Sequence, residues 1–208
     1  MLFEQLQATC QTLEAEFSLI PEKRKEKLSL LRSYIVQKKE QEKLVQLVVI
    51  CTHNSRRSHI GQLWLAIGAV YYQLTNIATF SGGTEATALN ERVVTAFQKL
   101  GLEMNTEETS PTNPVYSIKW QKDMLPYQAF SKKYQTAPNP SQDFGAILVC
   151  AEEDEGCPFV LGADWRLSLP YKDPKEFDGT ALEAEQYEQK IKEIGRELLF
   201  VLSEIALG

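Results

Sequence analysis

Residues 44–58 read LVQLVVICTHNSRRS, an apolar run that ends at Cys51 and continues as a short polar loop. The run over residues 44–50 is rich in β-branched side chains and predicts a buried strand of a parallel sheet. Residues 60–71 carry apolar side chains at helical spacing, which predicts a helix directly after the loop. The order strand, loop, helix places the loop at the carboxyl end of a strand, where open α/β sheets bind ligands.

The rest of the chain repeats this alternation of strands and helices. Further strands are predicted over residues 76–80, 144–149 and 167–169, with a turn at 81–83, and further helices over 87–100 and 178–206. Gly101 is expected to cap the helix that precedes it. This order predicts an α/β fold with a doubly wound, mostly four-stranded parallel sheet.

Two segments lie outside this pattern. Residues 1–43 carry an apolar helical stripe and then a second helix that starts near Pro21, which predicts an N-terminal helical extension. Residues 44–208 are expected to form the main domain. An insertion near residues 105–142 contains five prolines, and there we expect a short strand or hairpin.

The bulk composition narrows the functional classes. A net charge of −6 and a pI of about 5.1 argue against a general nucleic-acid binder. No apolar run approaches the roughly 20 residues of a membrane helix, and the N-terminus lacks the basic and apolar regions of a signal peptide. We therefore expect a cytoplasmic protein with no membrane partner, whose four cysteines are catalytic, redox-active or buried.

The loop after Cys51 has the composition of an anion-binding site. Backbone N–H groups ahead of a helix N-terminus attract a tetrahedral anion and favour the thiolate, which is the nucleophilic form of cysteine. Arg57 can offer two donors to one anion, and Ser58 can donate to the thiolate. Asn54 is a residue type that tolerates a positive φ. The alternative is an inert buried cysteine beside solvated arginines, but the strand–loop–helix context favours function.

Here the sequence resembles a known family. The segments CTHNSRRS and HIGQLW resemble the signature of the low-molecular-weight protein tyrosine phosphatase superfamily, and the resemblance covers residues 44–105 and 143–206. It implies that Cys51 is the nucleophile, that Arg57 binds the anion and that Ser58 stabilises the thiolate. The residues expected to surround the oxyanion are Thr52, His53, Asn54, Ser55, Arg56 and Arg57.

Phosphoester chemistry also needs a proton for the leaving oxygen. Asp173 follows the last predicted strand, on the same rim as Cys51, and the family has an aspartate followed by proline at this point as its general acid. Asp-Pro is also a common turn pair. Asp178 is the second candidate, although it resembles an N-cap of the final helix.

A second pair of cysteines distinguishes branches of the family. Cys150 ends a predicted strand and Cys157 lies in CAEEDEGCP, a pattern similar to thioredoxin-coupled arsenate reductases. The resemblance implies that Cys51 attacks arsenate, that Cys150 attacks Cys51 with release of arsenite, and that Cys157 then forms a disulfide with Cys150. Thioredoxin would be the electron donor, with no tightly bound cofactor and no metal.

Three alternatives stay open at this point. The first is a low-molecular-weight protein tyrosine phosphatase acting through phosphocysteine, although Lys175 stands where a phosphotyrosine enzyme would carry a tyrosine. The second is a non-catalytic anion-binding scaffold. The third is a zinc site at Cys150 and Cys157, which the scarcity of histidine disfavours. His53 and Gln62 also depart from the reductase pattern, and Gln62 argues against a potassium site.

Overall fold

The protein is described by a computed structural model over residues 1–107, 110–150 and 159–207. Its helices are α1 (Glu4–Ala15), α2 (Glu22–Glu40), α3 (Arg57–Tyr71), α4 (Glu91–Lys99) and α5 (Glu183–Ala206). Its strands are β1 (Val45–Cys51), β2 (Ile77–Gly83), β3 (Glu103–Glu107), β4 (Val115–Lys119), β5 (Tyr127–Ala129), β6 (Phe144–Leu148) and β7 (Ala163–Ser168).

A four-stranded sheet in the order β2-β1-β6-β7 forms the centre of the molecule, and all its neighbouring strands are parallel. The sheet starts at β1, and the chain then adds β2 on one side and β6 and β7 on the other. The predicted doubly wound α/β fold is therefore confirmed. Because the strands are parallel, their carboxyl ends meet at one edge. Cys51 and Cys150 therefore lie at the same edge, Cys51 as the last residue of β1 and Cys150 soon after β6.

The insertion forms a second, antiparallel sheet in the order β3-β4-β5. This confirms the expected hairpin and adds a third strand. The predicted turn at residues 81–83 is wrong, because β2 continues to Gly83. The two glycines are needed there for space: an ideal Cβ on Gly82 would lie 2.4 Å from Cα of Tyr134, and one on Gly83 would lie 2.7 Å from the Asn54 nitrogen.

The sheet separates two groups of buried apolar side chains. On β1, Leu47 and Val49 belong to the larger cluster, whereas Val48 and Ile50 belong to a smaller one that includes Tyr134. This alternation follows from the two-residue period of a strand. All five helices contribute to the larger cluster, for example through Leu6, Leu28, Trp64, Phe97 and Ile194.

The N-terminal helices α1 and α2 pack on α5 and share its core. Residues of both helices belong to the same hydrophobic cluster as residues of β1, α3 and α5. Within the described ranges, no helix combines the length and the apolar character that a membrane span requires.

Candidate active site

The centre of the site is the Cys51 thiol at the end of β1. Its Sγ lies 3.1 Å from Oγ of Ser58, in the first turn of α3. Asn54 Nδ2 donates to the same Oγ at 2.9 Å, so the Ser58 hydroxyl proton is available to Cys51. Cys51 is buried and is a free thiol. The three residues lie together as the sequence predicts, and a hydroxyl donor at this distance stabilises a thiolate.

Asn54 organises the loop of residues 51–57, here called the oxyanion loop. Its φ is 45°, which confirms the left-handed conformation suggested by its residue type. Besides binding Ser58, its side chain accepts from the backbone N–H of Lys132 at 2.8 Å. One fully buried amide therefore joins the oxyanion loop, α3 and the insertion.

The carbonyl groups of the oxyanion loop accept hydrogen bonds from surrounding segments. Thr84 N donates to Cys51 O at 3.2 Å, Glu85 N to Thr52 O at 2.8 Å, Ser131 Oγ to His53 O at 3.0 Å and Asn90 N to Ser55 O at 3.0 Å. The His53 side chain is half exposed, with Nε2 at 3.6 Å from Glu85 Oε2. With the carbonyls held by these donors, the loop has a fixed conformation at the N-terminus of α3.

Arg57 joins the oxyanion loop to the candidate acid. Its Nη1 donates to the carbonyl of Tyr171 at 2.9 Å and to that of Val149 at 3.4 Å, and its Nη2 lies 3.0 Å from Asp173 Oδ2. Asp173 lies in residues 169–174, here called the acid loop. Its other oxygen accepts from the Lys175 N–H at 3.0 Å. The structure thus brings Asp173 to Arg57, as the sequence suggests.

Arg56 supports the acid loop from the side. Its Nε donates to the Tyr187 hydroxyl at 2.8 Å, its Nη2 donates to Asp178 at 3.2 Å, and its Nε lies 3.8 Å from Asp173. Asp178 does not cap the final helix: α5 begins at Glu183 with Leu182 at its N-cap position. The N-cap interpretation is wrong because the Asp178 carboxylate binds Arg56 and Tyr187. That Arg56 contacts an oxyanion stays a prediction.

Cys150 lies beside the oxyanion loop. Its Sγ is 3.5 Å from Oγ1 of Thr52, the residue next to Cys51, and its side chain is partly exposed. Both cysteines therefore flank Thr52 at the carboxyl edge of the sheet. Cys157 lies outside the described residues, so its predicted partnership with Cys150 stays a prediction.

Two buried basic side chains, His59 and Lys132, lie behind the oxyanion loop. Burial and the nearby Lys132 charge lower the pKa of His59 to about 3, against a smaller opposing effect of the Asn54 backbone. Burial likewise lowers the pKa of Lys132 to about 8. Lys132 Nζ lies 4.7 Å from the centre of the Phe130 ring and 3.4 Å from the Phe130 carbonyl. His59 is therefore neutral near pH 7.

Sequence reasoning did not find the supporting residues Ser131, Lys132 and Tyr171. Their roles depend on contacts between segments far apart in the chain, such as the 78 positions that separate Asn54 from Lys132. One local signal does exist, in the pair Gly82-Gly83. Adjacent glycines at a strand end indicate that other backbone approaches closely, and here the oxyanion loop and the insertion do so.

No protein-family model and no curated protein matches this sequence. The chain is similar to a solved low molecular weight phosphotyrosine phosphatase. That protein is VcLMWPTP-2 from Vibrio cholerae O395, and the superposition has a TM-score of 0.45 at 13% sequence identity. It covers 77% of this chain and 95% of the phosphatase chain.

Proposed function

We propose that the chain is a cysteine-dependent phosphomonoester phosphatase. One observation carries this proposal: Arg57, at the end of the oxyanion loop, lies 3.0 Å from Asp173. The contact brings Asp173 to the oxyanion loop that begins at Cys51, and it supports roles for Cys51 as nucleophile, Arg57 as anion-binding fork and Asp173 as proton donor.

The proposed reaction has two steps. The Cys51 thiolate attacks phosphorus while Asp173 donates a proton to the leaving oxygen, and the S–P bond of a phosphocysteine forms as the P–O bond breaks. Asp173 then accepts a proton from water, which attacks phosphorus and releases inorganic phosphate and the thiolate. The amide groups of the oxyanion loop and Arg57 stabilise the negative charge in both steps.

The test is the hydrolysis of aryl phosphates by wild type and three variants. We expect Cys51→Ser to abolish turnover and Asp173→Asn to lower it by about 10²- to 10⁴-fold, the usual contribution of a positioned acid. Cys10→Ser is the matched control, because Cys10 is a buried thiol in α1. Hydrolysis that survives in Cys51→Ser would overturn the proposal.

A second candidate function, arsenate reduction, is favoured by the 3.5 Å contact between Cys150 and Thr52. In this reaction the Cys51 thiolate attacks arsenic and forms an S–As bond. The hydroxide that it displaces from arsenate is protonated and leaves as water. Cys150 attacks Cys51 sulfur, the electron pair of the S–As bond passes to arsenic, and arsenite leaves. Cys157 then displaces Cys51 to give a Cys150–Cys157 disulfide, which thioredoxin would reduce.

This candidate has its own test. The protein is incubated with arsenate, thioredoxin, thioredoxin reductase and NADPH, and NADPH oxidation is followed. Arsenate-dependent oxidation that is lost in Cys150→Ser and in Cys157→Ser supports the reductase. If oxidation is absent while all three proteins hydrolyse an aryl phosphate, the protein is a phosphatase and the two cysteines are not part of its reaction.

A further inference from the structure

The N-terminal extension reaches the acid loop through one side chain. Arg24 of α2 donates from Nε to Glu197 of α5 at 2.9 Å and from Nη2 to the Pro170 carbonyl at 3.3 Å. Its guanidinium carbon also lies 4.6 Å from the centre of the Tyr171 ring. A single planar group thus holds three partners, two of which belong to the acid loop.

Tyr171 carries this support to the catalytic arginine. Its hydroxyl donates at 2.6 Å to Oε2 of Glu197, the same oxygen that Arg24 binds. Its backbone N–H donates to Val149 O at 3.3 Å. Its carbonyl accepts from Arg57 at 2.9 Å. Asp173 lies two residues further along the same short loop, so a displacement of Tyr171 would displace Asp173, whereas Arg57 belongs to α3 and also binds Val149 O at 3.4 Å.

The surroundings give these contacts their strength. Glu197 and Tyr171 are buried. Burial, with the nearby Glu197 charge, raises the pKa of Tyr171 well above its usual value, so its hydroxyl stays protonated and keeps donating to Glu197. A charged pair away from water demands good geometry and satisfied donors, and the Arg24 fork provides both.

We propose that the N-terminal helices position the acid loop, with Arg24 as the positioning residue. The proposal rests on the hydrolytic function proposed above and extends it to a segment that the catalytic residues do not include. If it is correct, changes at Arg24 impair proton donation by Asp173 more than attack by Cys51. The loss then depends on how much the leaving group needs a proton.

The experiment compares phenyl phosphate, a poor leaving group, with dinitrophenyl phosphate, a good one. The variants are Arg24→Met and Arg24→Lys; the latter keeps a charge beside Glu197 and so protects the fold, but lacks the planar fork. Lys25→Met is the matched control, because Lys25 binds Glu22 and lies over the Phe200 ring instead. It removes the same charge from the next position of α2.

We expect kcat/KM, which covers only the steps up to release of the leaving group, to fall about tenfold for phenyl phosphate in both Arg24 variants and less than about twofold for dinitrophenyl phosphate. Lys25→Met should match wild type on both substrates. Equal losses on the two substrates would indicate a merely structural role and overturn the proposal, as would no loss on either.

Amide hydrogen exchange separates this inference from the proposed function. If wild type hydrolyses neither substrate, the phosphatase proposal fails, and the positioning is then measured by exchange over residues 168–175. Faster exchange in the Arg24 variants than in wild type and Lys25→Met supports positioning of the acid loop. Unchanged exchange in the Arg24 variants overturns it.

Discussion

The insertion and the N-terminal helices support the two sides of the site by different means. The insertion holds the oxyanion loop mainly with backbone and short polar groups, through Lys132 N on Asn54 and Ser131 Oγ on His53. The N-terminal helix α2 holds the acid loop with a long charged side chain, Arg24. The oxyanion loop thus has a rigid support, whereas the acid loop depends on an ion pair.

The two supports also respond to acid in opposite directions. Behind the oxyanion loop, His59 of α3 has a folded-state pKa of about 3 against an ordinary value of 6.5, so the unfolded chain binds the proton first. Stability is therefore lost as the pH falls through 6.5. On the other side, burial raises the pKa of Glu197, with Arg24 opposing this effect. Because the folded state then takes up that proton first, Glu197 protonation does not oppose folding.

The largest expected effect is the acid sensitivity of His59. Between pH 6.5 and about pH 4.5 its burial should reduce the free energy of unfolding by roughly 2 kcal/mol, since one pKa unit corresponds to about 1.4 kcal/mol and the unfolded group is already half protonated at pH 6.5. His59→Gln should lose less stability over this range, as measured by urea denaturation. His53→Gln, at the half-exposed histidine, is the control. An equal loss in wild type and His59→Gln would show that other groups set the acid response.

The next effect concerns the link between the insertion and the nucleophile. Asn54→Ala removes the donor to Ser58 and the acceptor of Lys132 N–H, and leaves buried polar groups unsatisfied. Such a loss costs about 1–3 kcal/mol, so we expect roughly 10- to 100-fold lower kcat on aryl phosphates. Since the whole anion site is disturbed, both leaving groups should be affected alike, unlike in the Arg24 variants. A kcat close to wild type would mean that the amide does not organise the loop.

A smaller effect distinguishes the contribution of the Lys132 backbone N–H from that of its side chain. The pKa of Lys132 is lowered by burial to about 8, from 10.5, so the buried charge costs stability below about pH 8, and this cost disappears as the pH approaches 10.5. Lys132→Met should therefore raise the free energy of unfolding by about 1–2 kcal/mol near pH 7. The gain should vanish near pH 10.5, while kcat stays unchanged because the backbone N–H remains.

Lys133→Met, at the exposed neighbour, is the control for charge removal alone. A loss of stability in Lys132→Met would show that the ammonium contributes more through Phe130 than its burial costs. Lys132→Met should also reduce the acid sensitivity caused by His59, because the Lys132 charge is one reason for the low pKa of His59.

The sequence predicts the local parts of the site, but not the contacts between segments that are far apart in the chain. The strand–loop–helix unit from β1 to α3 depends on local periodicity, and the positions of Cys51, Asn54 and Ser58 follow from it. The contacts of Arg24 with Pro170 and of Lys132 with Asn54 join positions 146 and 78 residues apart. No local pattern encodes them, because which surfaces meet is decided by packing of the whole core. The predicted start of the final helix at residue 178 is wrong for a related reason, since Asp178 binds Arg56 from another segment and α5 begins at Glu183.

The smallest effect tests the short polar contacts between the insertion and the oxyanion loop. Ser131→Ala removes the Oγ that donates to His53 O at 3.0 Å and accepts from Thr87 N at 2.9 Å. Losing one such hydroxyl costs about 1 kcal/mol, and we expect roughly fivefold lower kcat if this cost appears at the transition state. Ser29→Ala on α2 is the control, because the Ser29 hydroxyl donates to Glu26 O at 2.7 Å, within its own helix. If Ser131→Ala lowers the free energy of unfolding but leaves kcat at the level of Ser29→Ala, the insertion stabilises the fold without shaping the oxyanion loop. If kcat falls alike on phenyl and dinitrophenyl phosphate, the insertion acts on anion binding, and proton donation depends on the N-terminal side alone.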